Sequence, residues 1–242
     1  MKKITVLNGS INRQGNTQFF IEEVLKSLPK EEYKIEFLFS EDYKVGLEYS
    51  ALYDVSYNQK VLNDNVYELE HTILNSNLLV IASPVYMHNV SSSLKLVLEK
   101  LSTWAHILRL DGIPTVVLST CSSNGDSTVT SYLCKIMSSM GGNIIANCNA
   151  NSYQLDSENW LKEISLKITK KINDYINLPR KSNDYIEQVF QEMKKIMLVR
   201  QDFDKKDTFA AEESKYWMNN NLINYDSFQE YLYQKYNKES GV

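Results

Sequence analysis

The residues best suited to chemistry sit in VLNGSINRQGNT, Val6 to Thr17. An apolar run stops at Asn8, gives way to small and polar residues, and resumes as FFIEEVLKSL. Ser10, Asn12, Asn16 and Thr17 supply side-chain hydrogen-bond donors, and Gly9 and Gly15 let a ligand approach the backbone. If Asn16–Thr17 opens a helix, the free N–H groups and the dipole of its first turn favour an anion, so this loop is expected to seat a phosphate. Arg13 either pairs with that phosphate or covers it. The plain alternative is an ordinary turn into a helix capped by Asn16.

Two more loops have matching character. ASPVYMHNVSSSLK follows the apolar run NLLVIAS; Pro84 stiffens it, and Val85, Tyr86 and Met87 offer an apolar wall beside exposed N–H groups. A flat isoalloxazine ring needs that combination. Tyr86 and Met87 are otherwise surface packing or a subunit contact. STCSSNGDS is the third loop, where Thr120, Cys121, Ser122, Asn124 and Gly125 can close over the ring's other side. Cys121 is either a reactive thiol or a small buried residue at a strand end, and Cys134 and Cys148 read as core.

The elements that must position these loops follow from periodicity. KKITVLN, YKIEFLF, NLLVIAS, IPTVVLST and NIIANC read as strands. Between them lie helical patterns: a face of Phe20, Ile21, Val24, Leu25 and Leu28; DNVYELEHTILNS; one helix over SSSLKLVLEKLSTWAHIL; and DSTVTSYLCKIMSSMGG, closed by Gly141 and Gly142. Residues 157 to 177 give a last amphipathic helix with Trp160, Leu161, Ile164, Ile168, Ile172 and Tyr175 inward. Strand and helix thus alternate five times. This predicts an α/β fold with a five-stranded parallel sheet, flavodoxin-like order 2-1-3-4-5 and helices on both faces. In such a sheet a ligand sits beyond the carboxyl ends of the strands, between strands one and three, where the loops named above converge.

The expected division is 1–178 for this unit and 179–242 for a helical C-terminal extension. Phe190, Met193, Met197, Phe209, Tyr216, Trp217, Leu222, Phe228, Tyr231 and Tyr233 give that extension an apolar side that needs cover. It either folds back on its own sheet or, the favoured expectation, embraces a second subunit. Residues 41–63 form a long connection with Tyr43, Tyr49, Tyr53 and Tyr57, suited to a subunit contact, a pocket wall or simple surface cover.

Bulk properties narrow the class. In 242 residues, 43% are hydrophobic, enough for a full core, and a net charge of −4 gives no reason to seek nucleic acid or an anionic membrane. No apolar run reaches the ~18 residues of a membrane span, and the short MKKITVLNGS reads as a first strand rather than a signal peptide. Three cysteines in no close pair suit a reducing, cytoplasmic setting, and with three scattered histidines no metal site is expected.

NGSINRQGNT resembles the G-S-x-R-x-x-G-N-T phosphate loop of the NADPH-dependent FMN reductase and iron–sulfur flavoprotein family, with Asn12 near the usual Pro. SPVYMHNVSSSLKLVLEKL is similar to that family's S-P-V-Y…S…L-K…D-R segment, with Glu99-Lys100 in place of Asp-Arg. YWMNNNLI, Tyr216 to Ile223, resembles a Tyr-Trp motif near the C-terminus of many members. The resemblance implies FMN as cofactor and NAD(P)H as co-substrate. It places Ser10, Asn12, Arg13, Asn16 and Thr17 at the phosphate, Pro84, Val85, Tyr86, Met87 and Asn89 along the ring, and Thr120 to Gly125 on its other side. It also implies a homodimer or dimer of dimers. The iron–sulfur members carry cysteines after strand two; EDYKVGLEYSALYDVSYNQKVLND has none, so no cluster is expected here.

The expected activity is an FMN-dependent reductase passing electrons to a small-molecule acceptor such as a quinone or free flavin. The flavin would carry the chemistry, so no catalytic side chain is named. The alternatives are an electron-transfer or tailoring flavoprotein acting on another protein, peptide or metabolite, and a binding protein that has lost its flavin.

Overall fold

β-Branched and leucine-rich runs bounded by polar turns give the five strands β1 (Lys2–Asn8), β2 (Tyr33–Phe39), β3 (Leu78–Pro84), β4 (Pro114–Cys121) and β5 (Asn143–Asn151). The computed structural model describes residues 1–45, 65–123, 126–200 and 209–237. All strand pairs are parallel and the order is β2-β1-β3-β4-β5, as periodicity and alternation predict. The reversal of winding falls between β1 and β3, which pair directly from Ile4↔Leu78 to Asn8↔Ala82.

Helices α1 (Asn16–Leu25), α2 (Val66–Leu74), α3 (Ser92–Lys100), α4 (Trp104–Ile107), α5 (Asp126–Ser139), α6 (Ser152–Leu155) and α7 (Glu158–Ile176) return the chain between strands. Phe20, Ile21 and Val24 of α1 and Leu161, Ile168 and Ile172 of α7 cover one face of the sheet, against Ile4, Val6, Val80 and Leu118. Leu69 and Ile73 of α2, Leu94 and Val97 of α3, and Val129 and Leu133 of α5 cover the other, against Leu7, Leu79, Ile81 and Val117. Gly141 closes the turn after α5 at φ +88°, a left-handed conformation that suits glycine.

Two sequence expectations are corrected. The single helix over SSSLKLVLEKLSTWAHIL is two: α3 ends at Lys100, and the chain turns before the short α4. Leu108, in left-handed conformation, caps α4, and the His106 carbonyl accepts a hydrogen bond from Trp217 Nε1 at 2.9 Å instead of continuing the helix. The fifth strand also runs past Cys148 to Asn151, where Asn151 and Gln154 form a reciprocal capping box that starts α6.

Helices α8 (Asp184–Arg200), α9 (Phe209–Asn219) and α10 (Phe228–Asn237) follow among the described residues. Phe190, Met197, Tyr216, Trp217, Leu222, Phe228 and Tyr231 are buried together with Ile107 and Leu108 of the α4 region. Most of the apolar side of these helices is thus covered within its own chain; Tyr233, expected to need cover, is instead exposed on α10, and the side chain of Phe209 lies outside the described set. Arg180 anchors the crossing, donating to the carbonyls of Leu110 (3.0 Å) and Ser76 (3.1 Å), which precede β4 and β3. Buried Asp111 Oδ2 accepts from Lys235 Nζ at 2.7 Å and from the Tyr236 hydroxyl at 3.2 Å. The extension therefore closes the amino ends of the strands.

Candidate functional site at the carboxyl ends of the strands

The loop after β1 is shaped by its own polar side chains. Asn8 Oδ1 accepts from the Ser10 N–H at 2.8 Å, and Asn8 Nδ2 donates to Gln18 Oε1 at 2.9 Å. Ser10 Oγ accepts from the Asn12 N–H at 3.2 Å, and Asn12 Oδ1 accepts from the Gln14 N–H at 3.0 Å. A side chain at Gly9 would put its Cβ 2.8 Å from Leu94 Cδ2, and one at Gly15 would lie 3.0 Å from Asn12 Nδ2. Both glycines therefore answer to close packing of the loop.

Helix α1 starts with Gly15 as its cap residue and no side-chain cap bond. Asn16 is the first helical residue rather than the cap, so the turn into α1 is not closed by an Asn16 side-chain cap. The first-turn N–H groups face the loop with no acidic residue in that turn. Ile11 to Gln14 and Asn16 are exposed, whereas Ser10 and Thr17 are buried beneath them.

Three bonds tie the loops into one site. The Gly9 N–H donates to the Ala82 carbonyl at 2.8 Å, joining β1 to β3. The Val85 N–H donates to the Thr120 carbonyl at 2.8 Å, joining β3 to β4. Thr17 Oγ1 and Thr120 Oγ1, both buried, lie 2.7 Å apart and join α1 to β4.

After β3 the chain makes a tight turn over Tyr86–Asn89, with reciprocal N–H to carbonyl bonds of 2.9 Å between its end residues. Met87 and His88 at its tip have φ of +50° and +60°, conformations that cost a non-glycine residue about 1 kcal/mol. Met87 is 96% exposed and Tyr86 53%. Two apolar side chains held on a strained tip beside a polar loop fit the wall of a flat ligand. Asn89 Oδ1 accepts from the Val90 N–H at 2.8 Å and stiffens the return. Pro84 and Val85 are half-buried below.

Of the third loop, Thr120 and Cys121 are buried, Ser122 is exposed, and Asn124 and Gly125 lie outside the described residues. Arg13, which the resemblance implies at the phosphate, is engaged here by side chains at the end of β2 and in the turn after it. Its guanidinium pairs with Asp42 and with Glu41 (3.4 Å) and lies over the Phe39 ring, 4.2 Å from its centroid. Tyr43, half-buried in the same turn region, has its hydroxyl pushed up to about 12 by burial, with Asp42, Glu68 and Glu36 adding to the effect. Tyr49, Tyr53 and Tyr57 lie outside the described residues.

Sequence reasoning missed the end of β5. Ser119 Oγ donates to Asn149 Oδ1 at 2.6 Å, and Asn149 Nδ2 reaches Cys121 Sγ at 3.5 Å, fixing the floor of the third loop. The alternation Asn147, Asn149, Asn151 was the signal, period two carried on in polar residues. Burial pushes the Cys148 thiol up to about 11, consistent with a core position.

Among the described residues, no group of three or more His, Cys, Asp or Glu is placed to hold a metal ion, and no helix is long and apolar enough to cross a membrane. The residues present fit a flavin phosphate: an uncapped helix start for the anion, neutral donors around it, and an apolar wall on the neighbouring loop.

Known proteins share this fold. The fold is similar to RosB with bound 8-demethyl-8-formylriboflavin-5'-phosphate (TM-score 0.57, 15% identity, 86% of this chain and 90% of that one). It is also similar to the apo form of the NADH:FMN oxidoreductase EMOB (TM-score 0.53, 19% identity, 75% and 95%) and to the Trp repressor binding protein from Bacillus subtilis (0.51, 16%, 69% and 97%). A comparison with curated protein sequences returns no match. Residues 2–154 match the family model described as NADPH-dependent FMN reductase. With more than half of the chain matched and the sheet order in agreement, the chain belongs to the NADPH-dependent FMN reductase family, flavin-dependent oxidoreductases with FMN and NAD(P)H as their cofactors.

Proposed function

We propose that the protein takes electrons from a reduced nicotinamide and delivers them to a small organic acceptor, a quinone or a free flavin being the first to try. The observation that carries this reading is the linkage of three loops by Gly9, Val85 and Thr17 around an uncapped helix start, with Tyr86 and Met87 exposed beside it.

FMN, when bound, supplies the redox chemistry by accepting hydride from the nicotinamide and giving up electrons to the acceptor. The chain's own residues bind, orient and shield. Ser10, Asn12, Asn16 and Thr17, with the first-turn N–H groups of α1, would hold the phosphate. The Thr17–Thr120 bond keeps that helix start in register with β4, so anion and ring seats stay at a set spacing. The Tyr86–Asn89 turn would cover one ring face and keep water from it, and Ser122, Asn124 and Gly125 would meet the other. Residues 1–178 form the cofactor-binding unit in this reading, and 179–242 brace its far end. We expect a cytoplasmic homodimer in which the exposed Met87, Tyr86 and Ile11 meet a second subunit or the acceptor.

Steady-state oxidation of NADPH and NADH by the FMN-loaded protein, with menadione as acceptor, tests the activity. Turnover well above that of the same concentration of free FMN is the expected result. A rate equal to free FMN with both donors overturns the reductase reading.

A further inference from the structure

We propose that Glu41 and Asp42 act as a clamp that holds Arg13 away from the phosphate seat and so lowers affinity for a phosphorylated flavin while sparing the unphosphorylated one. The inference rests on the reading of Ser10–Thr17 as that seat.

Arg13 is the one cationic side chain in the segment Gly9–Thr17. A phosphate dianion would take it in preference to neutral donors, because a guanidinium offers two parallel N–H bonds to an oxyanion. The structure engages it elsewhere. Nη2 bonds Asp42, Nε lies 3.4 Å from Glu41 Oε1, and one face of the guanidinium covers Phe39. All three partners lie at the end of edge strand β2 and in the 3₁₀ turn Ser40–Asp42 that follows. Two carboxylates against one guanidinium leave this trio with a formal charge of −1, beside a seat meant for an anion. The seat itself has only neutral donors: backbone N–H groups, Ser10, Asn12, Asn16 and Thr17.

The clamp is reversible by its exposure. The Arg13 and Asp42 side chains are half exposed, at 50% and 49%. Ion pairs in such surroundings are worth little and can exchange for a stronger partner. An arriving phosphate must therefore compete with two carboxylates for Arg13 and also meet their repulsion. Riboflavin, with no phosphate, meets neither. The clamp thus weakens phosphate holding selectively and favours exchange of the bound flavin.

The test is a fluorescence-quenching titration with FMN and with riboflavin on the full chain. We compare wild type, Asp42→Asn, the double variant Glu41→Gln/Asp42→Asn, and Arg13→Gln with and without that double change. The double variant is expected to bind FMN about three- to tenfold more tightly, with riboflavin binding altered by less than about twofold. Asp42→Asn alone moves the same way by less. Arg13→Gln weakens FMN only, and in its background the double change keeps only the part of its gain that comes from relieved repulsion. A double variant that binds FMN no more tightly than wild type, or gains equally for both flavins, overturns the clamp while leaving the seat intact. Wild type that binds no FMN removes the seat and the clamp together.

Discussion

The two ends of the sheet are built on opposite principles. At the amino ends of the strands, the C-terminal helices bury Phe190, Trp217 and Phe228, and Arg180 and Asp111 are engaged by backbone and by Lys235 and Tyr236. At the carboxyl ends, Met87 stands 96% exposed on a turn with two left-handed residues, and the first turn of α1 has no side-chain cap. One end is mostly buried and paired, with Asp111 Oδ1 left unpartnered, and the other keeps donors and apolar surface open. A fold that needed only stability would close both, so the open end marks where a ligand belongs.

That contrast can be broken from either side. The largest effect is expected from Trp217→Ala, which removes a fully buried ring stacked on Phe190 at a centroid distance of 5.4 Å. It should cost about 3–5 kcal/mol in chemical denaturation. FMN affinity of the folded fraction should stay near wild type, because the site lies at the other end. Gly9→Val acts in reverse. Its Cβ meets Leu94 and the Ala82 carbonyl, at 2.8 and 3.1 Å, so the β1 loop must shift. Stability should fall by about 1–3 kcal/mol, and FMN titration should show binding lost with the loop geometry.

Alkaline pH loads the amino end most heavily, with three raised tyrosines there against Tyr43 beside the site. Burial, with the Asp111 charge, raises the hydroxyls of Tyr216 (to about 12), Tyr231 and Tyr236 above the ordinary value of 10.0. The folded state keeps these protons longer than the unfolded chain. Their contribution is therefore complete below pH 10 and is lost as pH rises toward and beyond 12. Each tyrosine adds a slope of about 1.4 kcal/mol per pH unit in that window. Denaturation series at stepped pH should show a shallower decline for Tyr231→Phe. The smallest expected effect is that of Thr120→Val, which leaves the buried Thr17 hydroxyl without its partner. About 1 kcal/mol of stability should be lost, with a modest weakening of FMN binding that a titration can resolve.

Much of this contrast is legible in the sequence, for physical reasons. Buried parallel strands must be apolar throughout, so LLVIAS and PTVVLS declare themselves, and the βα alternation then dictates sheet order and the meeting place of the loops. Ser10, Thr17 and Thr120 could be named as candidates because small polar residues cluster after β1 and at the end of β4, where the sheet order brings those segments together. The fate of Arg13 could not, since its partners Glu41 and Asp42 are 28 and 29 residues away and meet it only once β2 pairs with β1. The end of α4 was equally hidden, because the bond that takes the His106 carbonyl comes from Trp217, more than a hundred residues on. Asn149 escaped notice because Asn is a turn former by propensity, and its pairing with Ser119 depends on the β4–β5 register.

The account stands most directly on whether the open end binds FMN by its phosphate. Titrating the purified chain with FMN and riboflavin, and following quenching of flavin fluorescence, measures this. Saturation at one FMN per chain, abolished by Gly9→Val and unaffected by Trp217→Ala in the folded fraction, is the predicted result. No saturable FMN binding, or binding that survives Gly9→Val unchanged, would contradict the placement of the site between β1 and β3.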